Sequence, residues 1–135
     1  MIGECDLDIL DEIVRARGGF GHREHLELAW SYLARYEPDQ AQEVMAAAIR
    51  HLATAHGMPE RYHDTLTRAW VHLVAVHRER WGAPTFDAFL AIEDNRPLLH
   101  RHLLDGHYSS ELMSSDGARA RWREPDLARL PALSA

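Results

Sequence analysis

The chain has 135 residues, 46% of them hydrophobic, and a net charge of −6, which suits one domain with a real core and argues against DNA or RNA as a partner, because phosphate binding needs a positive surface. The single cysteine, Cys5, excludes an internal disulfide and fits a reducing compartment. All 15 basic residues are arginine, so Schiff-base, pyridoxal-phosphate and P-loop lysine chemistry is excluded.

The N-terminal stretch MIGECDLDIL is acidic and lacks the basic-then-apolar order of a signal peptide. No apolar run approaches the roughly 18 residues needed to cross a bilayer. A cytoplasmic protein without membrane contact is the expectation.

The periodicity predicts an all-α protein: a compact bundle of four to five principal helices with short C-terminal helical turns. A first helix is expected over about 6–16, stopped by Gly18-Gly19, and a second over about 23–36, ending before Glu37-Pro38. The third begins with Pro38 in its first turn and runs to His56-Gly57. The fourth is expected from near Pro59 to Trp81-Gly82. Thr85 is a good N-cap for a fifth helix reaching about Asn95, and Pro97 opens a sixth that ends at Gly106. Ser109 and Ser114 are candidate caps of short turns. The whole chain, 1–135, reads as one helical domain, with about 1–5 and 124–135 extended or flexible.

Ten histidines are a marked bias for this length. At about 100° per residue, Leu26, Ala29, Trp30, Leu33 and Tyr36 share one side of the second helix, with His25 at the edge and His22 within the stripe. In the fourth helix Leu66, Trp70, Leu73 and Val74 form the stripe. His63 and His77 fall within it, and His72 points away, as a solvated residue would. His22 and His25, at i and i+3, project from the same face and can share an ion, with His63 as third ligand. His77 lies about 21 Å from His63 along a helix, too far to serve the same ion.

Three neutral imidazoles suit zinc, copper, iron or nickel and leave a coordination position open for water or substrate. Tyr62, beside His63, is the candidate catalytic proton donor. The other reading of Tyr62 is a boundary tyrosine with its hydroxyl in water. Trp30, Tyr32 and Trp70 could wall an apolar pocket, but at helical spacing such residues are more often simply core. Glu24 points off the histidine face, and Glu93 is a remote candidate carboxylate ligand. His102 is expected to turn inward and His100 outward. Arg119, Arg121 and Arg123 around Trp122 suggest either an anion clamp or ion pairs that hold the tail.

HREH, residues 22–25, is not H-E-x-x-H, and no P-C-x-x-C accompanies its H-x-E spacing. The order His25, then His63-Asp64, is similar to that of HD-domain phosphohydrolases, but the small apolar surroundings of that motif are absent. FGHREHLELAWSYL, YHDTLTRAW, FDAFLAIEDN and YSSELMSSDGARARWREPDL, in this order from Phe20 to Leu127, resemble a family of small all-helical bacterial proteins of unassigned function. Its signature is F-x-H-x-x-H-L-x-L-A-W followed by Y-H-x-T-L-T-x-A-W. The resemblance groups His22, His25, Tyr62 and His63 and implies no reaction.

Two function classes stay open. One is a small metalloprotein, an enzyme acting on a small organic substrate at His22, His25 and His63. The other is a metal-free helical module that binds a ligand or partner and whose histidines are structural. A homodimer through a helix face is compatible with either.

Overall fold

Glycine, proline and side-chain caps divide the chain where local stereochemistry requires it. The computed structural model describes residues 3–134. They form seven α-helices and three short 3-10 segments, with no β-strand among the described residues. The all-helical expectation is met.

α1 (Glu4–Arg17) opens with the Asp6 carboxylate accepting the Gly3 N–H at 3.1 Å. It closes at Gly18, whose φ of 73° lies in the left-handed region that a side chain disfavours. Glu4 and Cys5 are therefore helical, not extended; residues 1, 2 and 135 of the expected flexible ends lie outside the described residues. α2 (His22–Leu33) starts where Glu24 reaches back to the Gly21 N–H at 2.7 Å, which satisfies an amide that the helix leaves unpaired. Pro38 opens α3 (Pro38–Ala55), where its missing N–H costs nothing.

The long fourth helix expected from Pro59 is broken. Pro59–Arg61 forms a 3-10 turn, Tyr62 and His63 are extended, and α4 (Asp64–Arg80) begins afresh. The break has a local cause: the His63 ring accepts the Leu66 N–H at 3.1 Å and caps the new helix.

α5 (Phe86–Ala91), capped by Thr85, also stops short of the expected Asn95. Asn95 is fully buried and donates to the carbonyls of Trp81 and Phe89, each at 2.9 Å. That side chain holds Glu93–Leu99 as a 3-10 segment, and Leu103–Gly106 is another, so the expected sixth helix is absent. α6 (Ser110–Met113) and α7 (Asp116–Ala120) follow, capped by Ser109 and by Ser115, one residue beyond the expected Ser114.

α4 is the central element. It packs against α2, α3, α7 and the 93–99 segment. Thr67, Ala69, Val71, Leu73, Val74 and Val76 are all buried, so the helix is covered nearly all round. A single apolar stripe underdescribes it, and Leu66, placed in that stripe, is 39% exposed.

His22 and His25 lie beside Leu66 and Trp70, while Leu33 and Tyr36 lie beside Ala75 and Arg78. α2 and α4 therefore run in the same direction, with α3 as the return crossing.

The C-terminal tail, 122–134, has no helix, yet it is docked. Buried Thr65 donates to the Arg121 carbonyl at 2.8 Å and accepts the Arg123 N–H at 3.0 Å. The Tyr108 hydroxyl donates to the Arg123 carbonyl at 2.8 Å. Asp126 accepts from the Ser109 N–H and hydroxyl at 2.8 and 2.6 Å. Leu130 and Leu133 pack against the core. No helix of the described residues is long and apolar enough to cross a membrane.

Candidate functional site

The Gly21 start of α2 places His22 and His25 one turn apart at the edge of a shallow hollow of about 430 Å³, together with Phe20, Leu66, Trp70 and Arg101. His22 Nε2 lies 2.8 Å from the Leu98 carbonyl. A carbonyl only accepts, so the ring proton sits on Nε2 and leaves Nδ1 as the basic atom. Burial lowers the His22 pKa, the Leu98 bond opposes that, and the Arg101 charge lowers it further. The His25 ring centroid is 4.8 Å from that of Phe20. Burial and the neighbouring His22 push its pKa down to about 4, against the pull of Glu24. Both imidazoles are neutral at pH 7, as ligation requires.

His63 is elsewhere. Its Nδ1 accepts the Leu66 N–H and its Nε2 donates to the Met113 carbonyl at 2.7 Å, so both ring nitrogens are engaged with backbone. The structure brings His22 and His25 together and leaves His63 out of their hollow. His102 borders it, but its side chain is 82% exposed and turned to Asp105, 3.4 Å away, not inward as expected. An ion in this hollow would meet two imidazoles beside the Arg101 guanidinium, a repulsive neighbour for a cation.

Tyr62 is not a boundary residue with a wetted hydroxyl: it is 8% exposed. Its hydroxyl donates to Asp64 Oδ1, and the Arg50 guanidinium lies 4.7 Å from its ring centroid. Burial and the Asp64 carboxylate raise the Tyr62 pKa, which makes it a poor proton donor at neutral pH. Its effect is to hold Asp64.

Asp64, 4% exposed, also accepts Arg50 Nη2 at 3.3 Å and Arg68 Nε at 2.9 Å, and Arg68 continues to Glu43. The Glu43 bond, with Asp64 behind it, raises the Arg68 pKa against the effect of burial, so this guanidinium is a fixed charge.

That network floors a second and larger concavity, a cleft of about 850 Å³. Gln42, Asp64, Arg68 and His72 form its helical side. Trp122, Glu124, Pro125 and the run Arg129–Ala132 form its other side, supplied by the docked tail. The indole N–H of Trp122 donates to Glu124 at 3.1 Å. His72, expected in solvent, is half-buried and donates Nε2–H to the Pro131 carbonyl at 2.6 Å.

The arginines around Trp122 behave differently from either expectation. Arg119 donates to the Glu60 carbonyl at 3.3 Å, and the Arg123 guanidinium lies against Gly117, where an added Cβ would meet Nη2 at 2.5 Å. The backbone of this segment, not ion pairs, fastens the tail. Only Trp122 of the 119–123 group lines the cleft.

The remaining candidates lie outside the lining of the cleft. Glu24 caps α2, and Glu93 and His100 are exposed. His77 Nδ1 is 3.1 Å from Asn95 Oδ1. Trp70 is buried and Tyr32 fully so, its hydroxyl donating to the Asp6 carbonyl at 2.8 Å. Sequence reasoning missed that Gln42, Arg68 and the tail residues Glu124, Pro125 and Arg129–Ala132 line one cleft. The available signal was Trp122 next to an aperiodic segment carrying Pro125 and Pro131.

No family model, curated protein or solved structure matches this chain.

Proposed function

We propose that this protein is a metal-free helical module that binds a small organic molecule in the cleft between α4 and the C-terminal tail. One observation supports this above the others: a concavity of about 850 Å³ lies over the already neutralised pair of buried Asp64 and half-buried Arg68. Volumes of about 300–1,000 Å³ with mixed apolar and polar walls are typical of small-molecule sites. The floor's charges are satisfied within the protein, so an entering ligand need not compensate them.

Ligand-observed NMR with 1-naphthamide as a neutral probe tests this reading. The wild type should bind the probe. Gln42→Trp, which places an indole on the cleft wall at a half-buried helical position, should weaken binding while the helical circular dichroism stays unchanged. Equal binding by the variant, or none by the wild type, overturns the reading.

The metalloprotein reading keeps one supporting observation, the neutral His22–His25 pair at a shared hollow. A transition metal held there would take its remaining ligands from solvent or substrate, because the His63 nitrogens are engaged elsewhere. Titration with zinc, copper, nickel and ferrous iron separates the two readings.

A further inference from the structure

We infer that the cleft ligand is an amphipathic organic acid: an apolar, preferably planar body with one carboxylate, which is met by Arg129. The inference rests on the cleft being the binding site.

Most polar groups of the lining are already engaged. Asp64 accepts from Tyr62, Arg50 and Arg68. Arg68 is divided between Asp64 and Glu43. His72 is bound to Pro131, and Glu124 accepts the Trp122 indole N–H.

Arg129 differs. Of the two arginines in the lining, it is the exposed one and pairs with no carboxylate among the described residues, whereas Arg68 pairs with both Asp64 and Glu43. A guanidinium offers two parallel N–H donors that match a carboxylate.

The rest of the tail side favours an apolar body. Pro125, Leu130, Pro131 and Ala132 offer no side-chain hydrogen bond, and the half-buried indole of Trp122 offers a flat face whose orientation the Glu124 bond fixes. Glu124 would repel the acid head, so the head belongs at Arg129 and the body over the indole.

Isothermal titration calorimetry with 1-naphthoate, 1-naphthamide and 1-naphthylmethylammonium reads the claim. An exposed guanidinium–carboxylate pair contributes at most about 1 kcal/mol, so the acid should bind up to about fivefold more tightly than the amide. The amine should bind least. Arg129→Gln should bring the acid-to-amide ratio to about one. Arg119→Gln, outside the lining, should preserve the wild-type ratio.

If the amide binds in a Gln42→Trp-sensitive way but the acid shows no advantage, or keeps its advantage in Arg129→Gln, the inference fails and the cleft reading stands. If none of the three probes binds, or Gln42→Trp weakens none of them, the cleft reading fails and the inference with it.

Discussion

His72 on α4 donates its ring proton to the Pro131 carbonyl at 2.6 Å, and this bond ties the end of the chain to the central helix. Ser134 reinforces it about two turns further along α4, its N–H reaching Glu79 at 2.9 Å. A single neutral hydrogen bond contributes about 0.5–1.5 kcal/mol net. His72→Ala should therefore lower global stability only slightly while freeing the tail. Amide hydrogen exchange should quicken over 128–134 and stay unchanged through α1–α3. Unchanged exchange in the tail would show that Leu130 and Leu133 hold it without His72.

The reasons that His72 was unreadable apply to the whole site. Helix boundaries at Gly18, Pro38 and Thr85 are local stereochemistry, and the sequence carries them openly. The phase of α4 is not local. Four elements surround that helix, so nearly every face is covered, and periodicity loses its contrast. The tail is fastened through backbone carbonyls and amides of Arg121, Arg123 and Pro131, which leave no residue signature. His22 and His25 share one helix turn, so their common position at one hollow is legible from local spacing. The company of His63 depended on a long-range fold, and its ring was taken instead by Leu66 and Met113.

Trp70 and Leu66 lie one turn apart on α4 but differ in environment. Trp70 is 7% exposed and packs edge-on against His22 at 4.5 Å between ring centroids, whereas Leu66 is 39% exposed. Trp70→Ala should cost about 3–5 kcal/mol, the range for a buried aromatic. Leu66→Ala should cost below about 1 kcal/mol, as exposed positions do. Urea unfolding monitored by circular dichroism measures both. Comparable losses would mean that the α2–α4 contact does not bury Trp70.

Acid sensitivity should come first from the histidines. The folded His25 pKa is about 4, below its ordinary 6.5, because of burial and His22; burial also lowers His22 and His77. Between those values the unfolded chain binds more protons than the folded one, so stability is fully present above about pH 6.5 and falls as pH drops toward 4. The His25 shift corresponds to a loss of up to about 3 kcal/mol across that window. His25→Gln should flatten the stability–pH curve there, whatever it does to the absolute value at pH 7. A curve of equal slope for wild type and variant would contradict a neutral, half-buried His25.

Metal binding has a discriminating variant in His63→Asn. Asparagine preserves an N-cap acceptor for the Leu66 N–H, so α4 should still form, while the bond to Met113 is lost. The ligand-binding reading expects no stoichiometric uptake of zinc, copper, nickel or ferrous iron by untagged wild-type protein at pH 7.5. Two neutral imidazoles beside Arg101 can still give weak binding. Such binding should weaken further as the pH falls, because a ligating imidazole must be neutral. His22→Gln and His25→Gln should each abolish it, and His63→Asn should leave it unchanged, because neither His63 nitrogen faces that hollow. Stoichiometric binding by the wild type that falls equally in all three variants would restore a three-histidine centre. The metal-free reading would then be wrong, and the His63 bonds to Leu66 and Met113 would have to yield when metal enters.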